Sequence, residues 1–176
     1  MREFRKDVAQ MTIAFVWAES IGGVIGRDGQ LPWRIPADLK HFKELTWQKT
    51  IILGHRTWQS FPKQQPLPQR QHWILTHQPA SAFPAAVKVY HDANSIRQAV
   101  IQAPETDFYV IGGVSLFELF EDLVTDLYCT KIDHVYVGDV VMPPLAWQQF
   151  DLQSEQVLPA TEKTPTITFE HWQRRN

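Results

Sequence analysis

A rigid apolar turn leads directly into a short helix in the segment Leu31-Pro-Trp-Arg-Ile-Pro-Ala-Asp-Leu-Lys-His-Phe-Lys-Glu-Leu45. Proline suits a first helical turn, because its φ is already near the helical value and its missing N–H would have no partner there. We therefore predict that the helix begins at Pro36. At about 100° per residue, the side chains of Asp38, Phe42 and Leu45 fall on one face of it.

Asp38 is the unusual member of this face, because a carboxylate interrupts an apolar stripe. An acid in a first turn is also favoured by the helix dipole and can cap free amides, so a purely structural role stays open. The apolar neighbours Trp33, Leu39 and Phe42 favour a second role. A carboxylate that binds a polar heterocycle in a dry pocket requires such surroundings, whereas a capping carboxylate does not.

Continuous apolar runs rich in strand-forming residues predict strands that are buried on both faces. The predicted strands cover residues 12–18, 50–54, 72–76, 87–90 and 108–113. Helices are predicted at 55–61, at 114–120 and after Asn94, which we expect to cap its helix. Two further strands, near 127–132 and 166–172, have no long helix between them and should pair antiparallel.

These elements predict an α/β fold. We expect a three-layer αβα domain with a mostly parallel central sheet, antiparallel strands at its C-terminal end, and ligands at the carboxyl ends of the strands. The glycines of residues 22–26 resemble a phosphate loop, but Pro32 and Pro36 prevent the helix that such a loop must enter. We interpret residues 22–30 as a flexible flap.

Length and composition limit the possible classes of protein. The 176 residues, 44% hydrophobic and 20% charged, are enough for one domain with a substantial core. A net charge of −2 argues against general nucleic-acid binding. The single Cys129 allows no internal disulfide, and no apolar stretch approaches the ~20 residues that span a bilayer. We predict a soluble, cytoplasmic monomer with no membrane partner.

The first ten residues are polar and lack the apolar region of a signal peptide. We predict that residues 1–10 are a disordered extension or precede an alternative start at Met11. The single domain is then predicted to cover residues 11–176.

Two predicted strands end in glycine and are followed at once by a helix. Gly54 joins one pair, and Gly112 with Gly113 joins the other. A helix N-terminus offers free amides to an anion, and two such units suit a dinucleotide pyrophosphate. Each unit alone is a common connection, and neither contains a standard GxGxxG or GxxxxGK[ST] loop.

Four cationic or titratable side chains, His55, Arg56, Arg70 and His77, fall at the same predicted edge of the sheet. Each of them singly fits a solvated polar rim. Arg70, at the end of a proline-rich loop, could instead bind a carboxylate through two hydrogen bonds.

The chain resembles the dihydrofolate reductases, of the bacterial chromosomal type, from Met11 onward. The resemblance is carried in order by residues 13–17, 22–26, 31–33, 36–39, 54–58, 66–70, 111–113, Thr130 and 138–139. It implies reduction of 7,8-dihydrofolate by NADPH, with hydride transfer to C6 and protonation at N5. Such an enzyme supplies one-carbon metabolism and is a target of antifolates.

The resemblance also implies roles for individual residues. Asp38 would hydrogen-bond the 2-amino group and N3 of the pterin, Trp33 would hold a water nearby, and Leu31 would belong to the mobile loop that closes over the nicotinamide. Arg70 would bind the α-carboxylate of the glutamate tail. The implied substrate-binding set is Ala18, Asp38, Leu39, Phe42, Phe61, Leu67, Arg70 and Thr130.

NADPH is the implied cofactor, and no metal is expected. The implied cofactor-binding set is Ala18, Ile25, Gly54, His55, Arg56, Thr57, Leu75, Thr76, His77, Gly112, Gly113, Val114, Ser115, Leu116 and Phe117. The Gly112–Gly113 bond resembles a cis peptide of the family.

The sequence departs from the family pattern at three points. His55 stands where the family usually has arginine, Val114 replaces a small residue, and the loop before Arg70 is longer. Because a histidine loses its charge near neutral pH, the preference for NADPH over NADH is predicted to depend on pH. The alternatives are a reductase of another pterin or of a ribosylaminopyrimidine, and a non-catalytic NADPH-binding module.

Overall fold

The computed structural model describes residues 11–176, so the prediction for residues 1–10 lies outside the described part. The strands are β1 (Ile13–Ser20), β2 (Val24–Gly26), β3 (Thr50–Gly54), β4 (Gln71–Leu75), β5 (Lys88–Tyr90), β6 (Phe108–Gly112), β7 (Asp126–Ile132), β8 (Val140–Val141), β9 (Phe150–Leu158) and β10 (Ile167–Arg174). The helices are α1 (Pro36–Thr46), α2 (His55–Gln59), α3 (Ala93–Ile101) and α4 (Val114–Phe120). Short 3-10 turns lie at Pro62–Gln64, Ala80–Ala82 and Trp147–Gln149.

Eight strands form one sheet in the order β5-β4-β3-β6-β1-β7-β10-β9. The pairs from β5 to β7 are parallel, and β10 is antiparallel to both β7 and β9. The predicted parallel sheet with antiparallel C-terminal strands is therefore confirmed. Sequence analysis missed β9, because after Phe150 its residues are exposed almost throughout and show no apolar alternation.

Alternating side chains of β1 divide between two apolar clusters, one on each face of the sheet. Phe15 packs in a cluster that includes residues of α3 and α4, such as Val100 and Phe117. Val16 packs in the other, with Trp58 of α2. Helices thus cover both faces of the sheet, and the predicted three-layer arrangement is confirmed.

Two helix starts test the local predictions. The first, α1, begins at Pro36 as expected. At α3, by contrast, the predicted cap Asn94 is wrong, because Asp92 is the N-cap and its carboxylate accepts a hydrogen bond from the Ser95 N–H at 2.8 Å. Asn94 is the second residue of α3, so its side chain cannot serve as the N-cap.

The predicted flap at residues 22–30 contains β2, which pairs antiparallel with β8. Arg27 and Gln30 exchange two backbone hydrogen bonds and close its tip. Gly138 lies beside β2, and a Cβ at this position would overlap the Val24 side chain and the Gly26 carbonyl. This close approach requires glycine. No described helix is long and apolar enough to cross a membrane.

Candidate active site

Several predicted site residues come together because four neighbouring parallel strands end at one edge of the sheet. The prediction that Arg70 shares this edge with His55, Arg56 and His77 is wrong, because Arg70 leads into the start of β4 whereas the other three follow the ends of β3 and β4. Gly54 ends β3, Gly112 ends β6, and Ala18 and Thr130 are directly paired near the ends of β1 and β7. Such an edge is the usual location of ligand sites in open α/β sheets. The helix α1 presents the Asp38 carboxyl to the Thr130 side chain there, and the Thr130 side chain favours the ionised carboxylate.

Asp38 differs from the other buried acids of residues 11–176, which are Glu19 and Asp126. Glu19 forms an ion pair with Lys131, and the Asp126 carboxylate lies 2.8 Å from Nε2 of His171. Asp38 is 9% exposed and forms no ion pair with any described residue. A buried carboxyl without a cation nearby is available to donors from a bound molecule.

The surroundings of Asp38 change its titration. Burial raises the pKa of the Asp38 carboxyl above its ordinary value, because ionisation is less favourable away from water. The hydrogen bond with Thr130 favours the carboxylate and opposes this effect without cancelling it. Asp38 therefore holds a proton to higher pH than an exposed aspartate does.

Trp33 is also buried, and its Nε1–H has no hydrogen-bond partner in the described residues. Its ring packs against Tyr136 at a centroid distance of 5.3 Å, and Ala18 packs on the same cluster. An unpaired buried donor is rare in folded proteins, so Trp33 is equipped to hold a water or a ligand atom. Sequence analysis did not predict that Tyr136 packs against Trp33.

Phe42, Phe61 and Leu67 are partly buried and pack against one apolar cluster. Leu39 is 51% exposed and Leu31 is 48% exposed. The first three form an apolar wall, and Leu31 and Leu39 offer apolar surface that a ligand could cover.

Arg70 is half-buried, and its Nε and Nη1 atoms are buried without a hydrogen-bond partner in the described chain. Burial lowers the pKa of the Arg70 guanidinium, whose carbon lies 5.5 Å from the centre of the Trp47 ring. None of the carboxylates among residues 11–176 pairs with it. A guanidinium without a carboxylate partner in the described chain is available to pair with an anionic group of a ligand.

The two glycine turns lie side by side, because β3 and β6 are neighbours. A Cβ built on Gly54 would lie 3.6 Å from the Gly113 nitrogen, and the bond between Gly112 and Gly113 is cis. Neither helix that follows is capped by a side chain. The first amides of α2 and α4 therefore stay available to an anion, as a dinucleotide phosphate requires.

The other predicted cofactor residues lie around these turns. Nδ1 of His55 is buried and unpartnered in the described structure, and its ring meets Phe83 edge to face at 6.2 Å. Thr76 is buried directly after β4, whereas Arg56 and His77 are exposed. The remaining predicted cofactor residues lie in β2, α2, β4 and α4. They are Ile25, Thr57, Leu75, Val114, Ser115, Leu116 and Phe117. Leu116 and Phe117 are core residues, so α4 presents its amides and the exposed Ser115 to solvent.

Sequence analysis assigned no role to Asp139, which fastens the flap. The Asp28 N–H lies 3.3 Å from each of its carboxylate oxygens, and the Asp139 N–H donates to the Gly26 carbonyl at 3.1 Å. These contacts join the flap to the loop before β8. The one indication of this role in the sequence is that Asp139 directly follows Gly138, which lies beside β2.

Comparisons with known proteins agree with this geometry. The family model described as dihydrofolate reductase matches residues 12–174. A dihydrofolate reductase of Staphylococcus aureus (strain Mu50) is 34% identical over 166 residues, which are 94% of this chain and 99% of the relative. One of Mycobacterium tuberculosis (strain CDC 1551) is 38% identical over 137 residues, covering 76% and 81% of the two chains. The solved structure of the dihydrofolate reductase from Enterococcus faecalis, complexed with NADP(H) and RAB-propyl, has a TM-score of 0.83 and 30% identity, and the match covers 95% and 98% of the chains.

Proposed function

The chain belongs to the dihydrofolate reductase family and catalyses the NADPH-dependent reduction of dihydrofolate, and we propose that Asp38 is the residue that binds and polarises the pterin. The observation that carries this assignment is a buried carboxyl that no described cation neutralises. The product of the reaction, tetrahydrofolate, serves one-carbon metabolism.

In this proposal, the Asp38 carboxylate accepts hydrogen bonds from the 2-amino group and N3 of the pterin, and Thr130 donates to the same carboxyl. These bonds orient the heterocycle in the apolar pocket formed by Ala18, Leu39 and Phe42. A charged acceptor in a site shielded from water binds donors more strongly than it does in solution.

NADPH, when bound, supplies the hydride that reaches C6 of dihydrofolate. The protein's contribution is then to favour a proton at N5 and to exclude bulk water. Burial raises the pKa of the Asp38 carboxyl, so this group takes up a proton more readily than an exposed aspartate does. The free Trp33 Nε1–H holds the water that delivers the proton to N5, while Asp38 polarises the ring.

We propose that NADPH is held by the two glycine turns. The first amides of α2 and α4, with Arg56 and Thr57 beside them, would hold the pyrophosphate. His55, Thr76 and His77 would hold the 2′-phosphate, and the unpartnered Nδ1 of His55 supports this assignment. Ala18 and the flap residue Ile25, which packs on the core, would hold the nicotinamide.

The substrate tail lies along Phe61 and Leu67, and its α-carboxylate pairs with the guanidinium of Arg70, which forms no ion pair within the described chain. We expect the protein to act as a monomer. Size-exclusion chromatography with light scattering tests the oligomeric state.

The test follows loss of NADPH absorbance with dihydrofolate and with a 7,8-dihydropterin that lacks the glutamate tail. We expect kcat/KM to favour dihydrofolate, and Arg70→Leu to reduce this advantage sharply while leaving the tail-free substrate unaffected. Equal loss with both substrates would make Arg70 a structural residue. Equal turnover of both substrates by the parent protein would instead favour a reductase of another pterin.

A further inference from the structure

His72 is a buried histidine that the proposed reaction does not use. It lies in β4 and is 2% exposed. Its Nε2 accepts a hydrogen bond from the Leu67 N–H at 3.0 Å. Burial lowers the pKa of His72 to about 4, so the ring is neutral at neutral pH and the lone pair on Nε2 is available.

The His72 ring also supports the aromatic part of the substrate wall. It meets Phe61 edge to face at a centroid distance of 6.1 Å and Trp58 in the same way at 6.2 Å. One side chain therefore contacts both Phe61 and Leu67, the two residues assigned to the substrate tail. The Arg70 N–H in turn donates to the Leu67 carbonyl at 3.5 Å, so the position of Leu67 influences the position of Arg70.

The loop between Phe61 and Arg70 needs such an anchor. Three of its residues that are not glycine have positive φ, namely Lys63 (54°), Gln64 (47°) and Gln69 (59°). A residue with a side chain rarely adopts this conformation unless its surroundings enforce it. Among the described hydrogen bonds, that of His72 is the one in which a side chain from outside the loop binds the backbone of residues 62–69.

We propose that His72 is a positioning residue that holds Leu67 and Arg70 in place for the tail carboxylate, and that it thereby sets the preference for dihydrofolate over pterins without a glutamate tail. This inference rests on the proposed role of Arg70. His72 itself contacts neither the substrate nor the reacting atoms, so its effect is confined to substrates that carry the tail.

The test compares two substitutions of His72. His72→Phe keeps the ring and its aromatic contacts but removes the acceptor. His72→Gln loses the ring but carries an amide oxygen at a similar distance from the backbone. The readout is the ratio of kcat/KM for dihydrofolate to kcat/KM for 6,7-dimethyl-7,8-dihydropterin. We expect His72→Phe to lower this ratio about tenfold, through a higher KM for dihydrofolate with little change in kcat, and His72→Gln to retain most of it.

Two reference variants separate the possible outcomes. Arg70→Leu tests the proposed carboxylate site, and an unchanged ratio in this variant would contradict that site whatever His72 does. His171→Phe is a matched control, because it removes another histidine hydrogen bond, to Asp126 at the far end of β7. It should lower the midpoint of thermal unfolding and leave the ratio unchanged.

A lowered ratio in Arg70→Leu with a normal ratio in His72→Phe would overturn the inference. So would equal losses with the two substrates in His72→Phe, since these indicate a general structural role. If His72→Phe does not fold, His72→Asn replaces it, because its shorter side chain withdraws the acceptor from Leu67. A ratio for His72→Asn equal to that for His72→Gln would then contradict the proposal.

Discussion

The substitution Asp38→Asn separates the chemical role of this residue from its effect on stability. The amide keeps the shape of the carboxyl and can still pair with Thr130, but it carries no charge and presents a donor where the pterin also donates. Losing charge-assisted hydrogen bonds in a buried site costs about 1.5–3 kcal/mol each. With one such bond lost at the transition state and a weakened proton transfer, we expect kcat with dihydrofolate to fall by about 10²–10³-fold.

The same substitution should stabilise the protein at neutral pH. Because burial raises the pKa of Asp38 in the folded state, the contribution of this group to stability is fully present below the pKa of the unfolded chain. That contribution is lost as pH rises through the folded-state pKa, so at neutral pH the buried carboxylate destabilises the fold. Asparagine removes this cost, and each kcal/mol gained raises Tm by about 2–4 °C for a domain of this size.

The assays are steady-state kinetics with dihydrofolate across pH, fluorescence titration with NADPH, and thermal unfolding. NADPH affinity should stay near that of the parent. Asp126→Asn is the matched control, since it neutralises a buried acid that is paired with His171. It should lower Tm and leave turnover nearly unchanged. Full activity in Asp38→Asn, or equal losses of activity in both variants, would refute the role given to Asp38.

Three further substitutions test other parts of the site. Arg70→Lys keeps the charge but not the two-pronged geometry, so KM for dihydrofolate should rise about tenfold in steady-state assays while KM for a tail-free pterin stays constant. Asp139→Ala removes the contacts that hold the Asp28 N–H, so pre-steady-state NADPH fluorescence should show hydride transfer slowed about tenfold with Tm little changed; an unaltered rate would mean that the flap closes without Asp139. His55→Arg should raise the ratio of kcat/KM for NADPH to that for NADH, because a guanidinium stays charged at any working pH and can bind a phosphate through two hydrogen bonds; an unaltered ratio would show that His55 does not contact the 2′-phosphate.

The sequence alone predicted those helices and strands whose positions depend on short-range interactions. Pro36 starts α1 because its φ and missing N–H suit only that position. The buried parallel strands are visible as continuous apolar runs, because both of their faces are covered. The strand β9 is missing from the prediction, since its one-sided pairing with β10 leaves no apolar pattern in the sequence. The cap of α3 was misplaced because Asp92 and Asn94 are both good capping residues by type, and only the backbone geometry separates them.

The chemistry of the site depends on contacts between distant parts of the chain. The sequence distinguishes Asp38 by its apolar neighbours, but it does not show which buried acids are paired. Long-range pairing gives Glu19 a partner on β7 and Asp126 a partner on β10. Asp38 has no such partner in the described chain. Arg70 likewise looks like any loop arginine until its two buried donors are found without a carboxylate. Local propensity fixes where a helix or strand forms, whereas the free energy of a buried charge depends on what the folded chain brings beside it, and so tertiary structure decides which charges remain free for ligands.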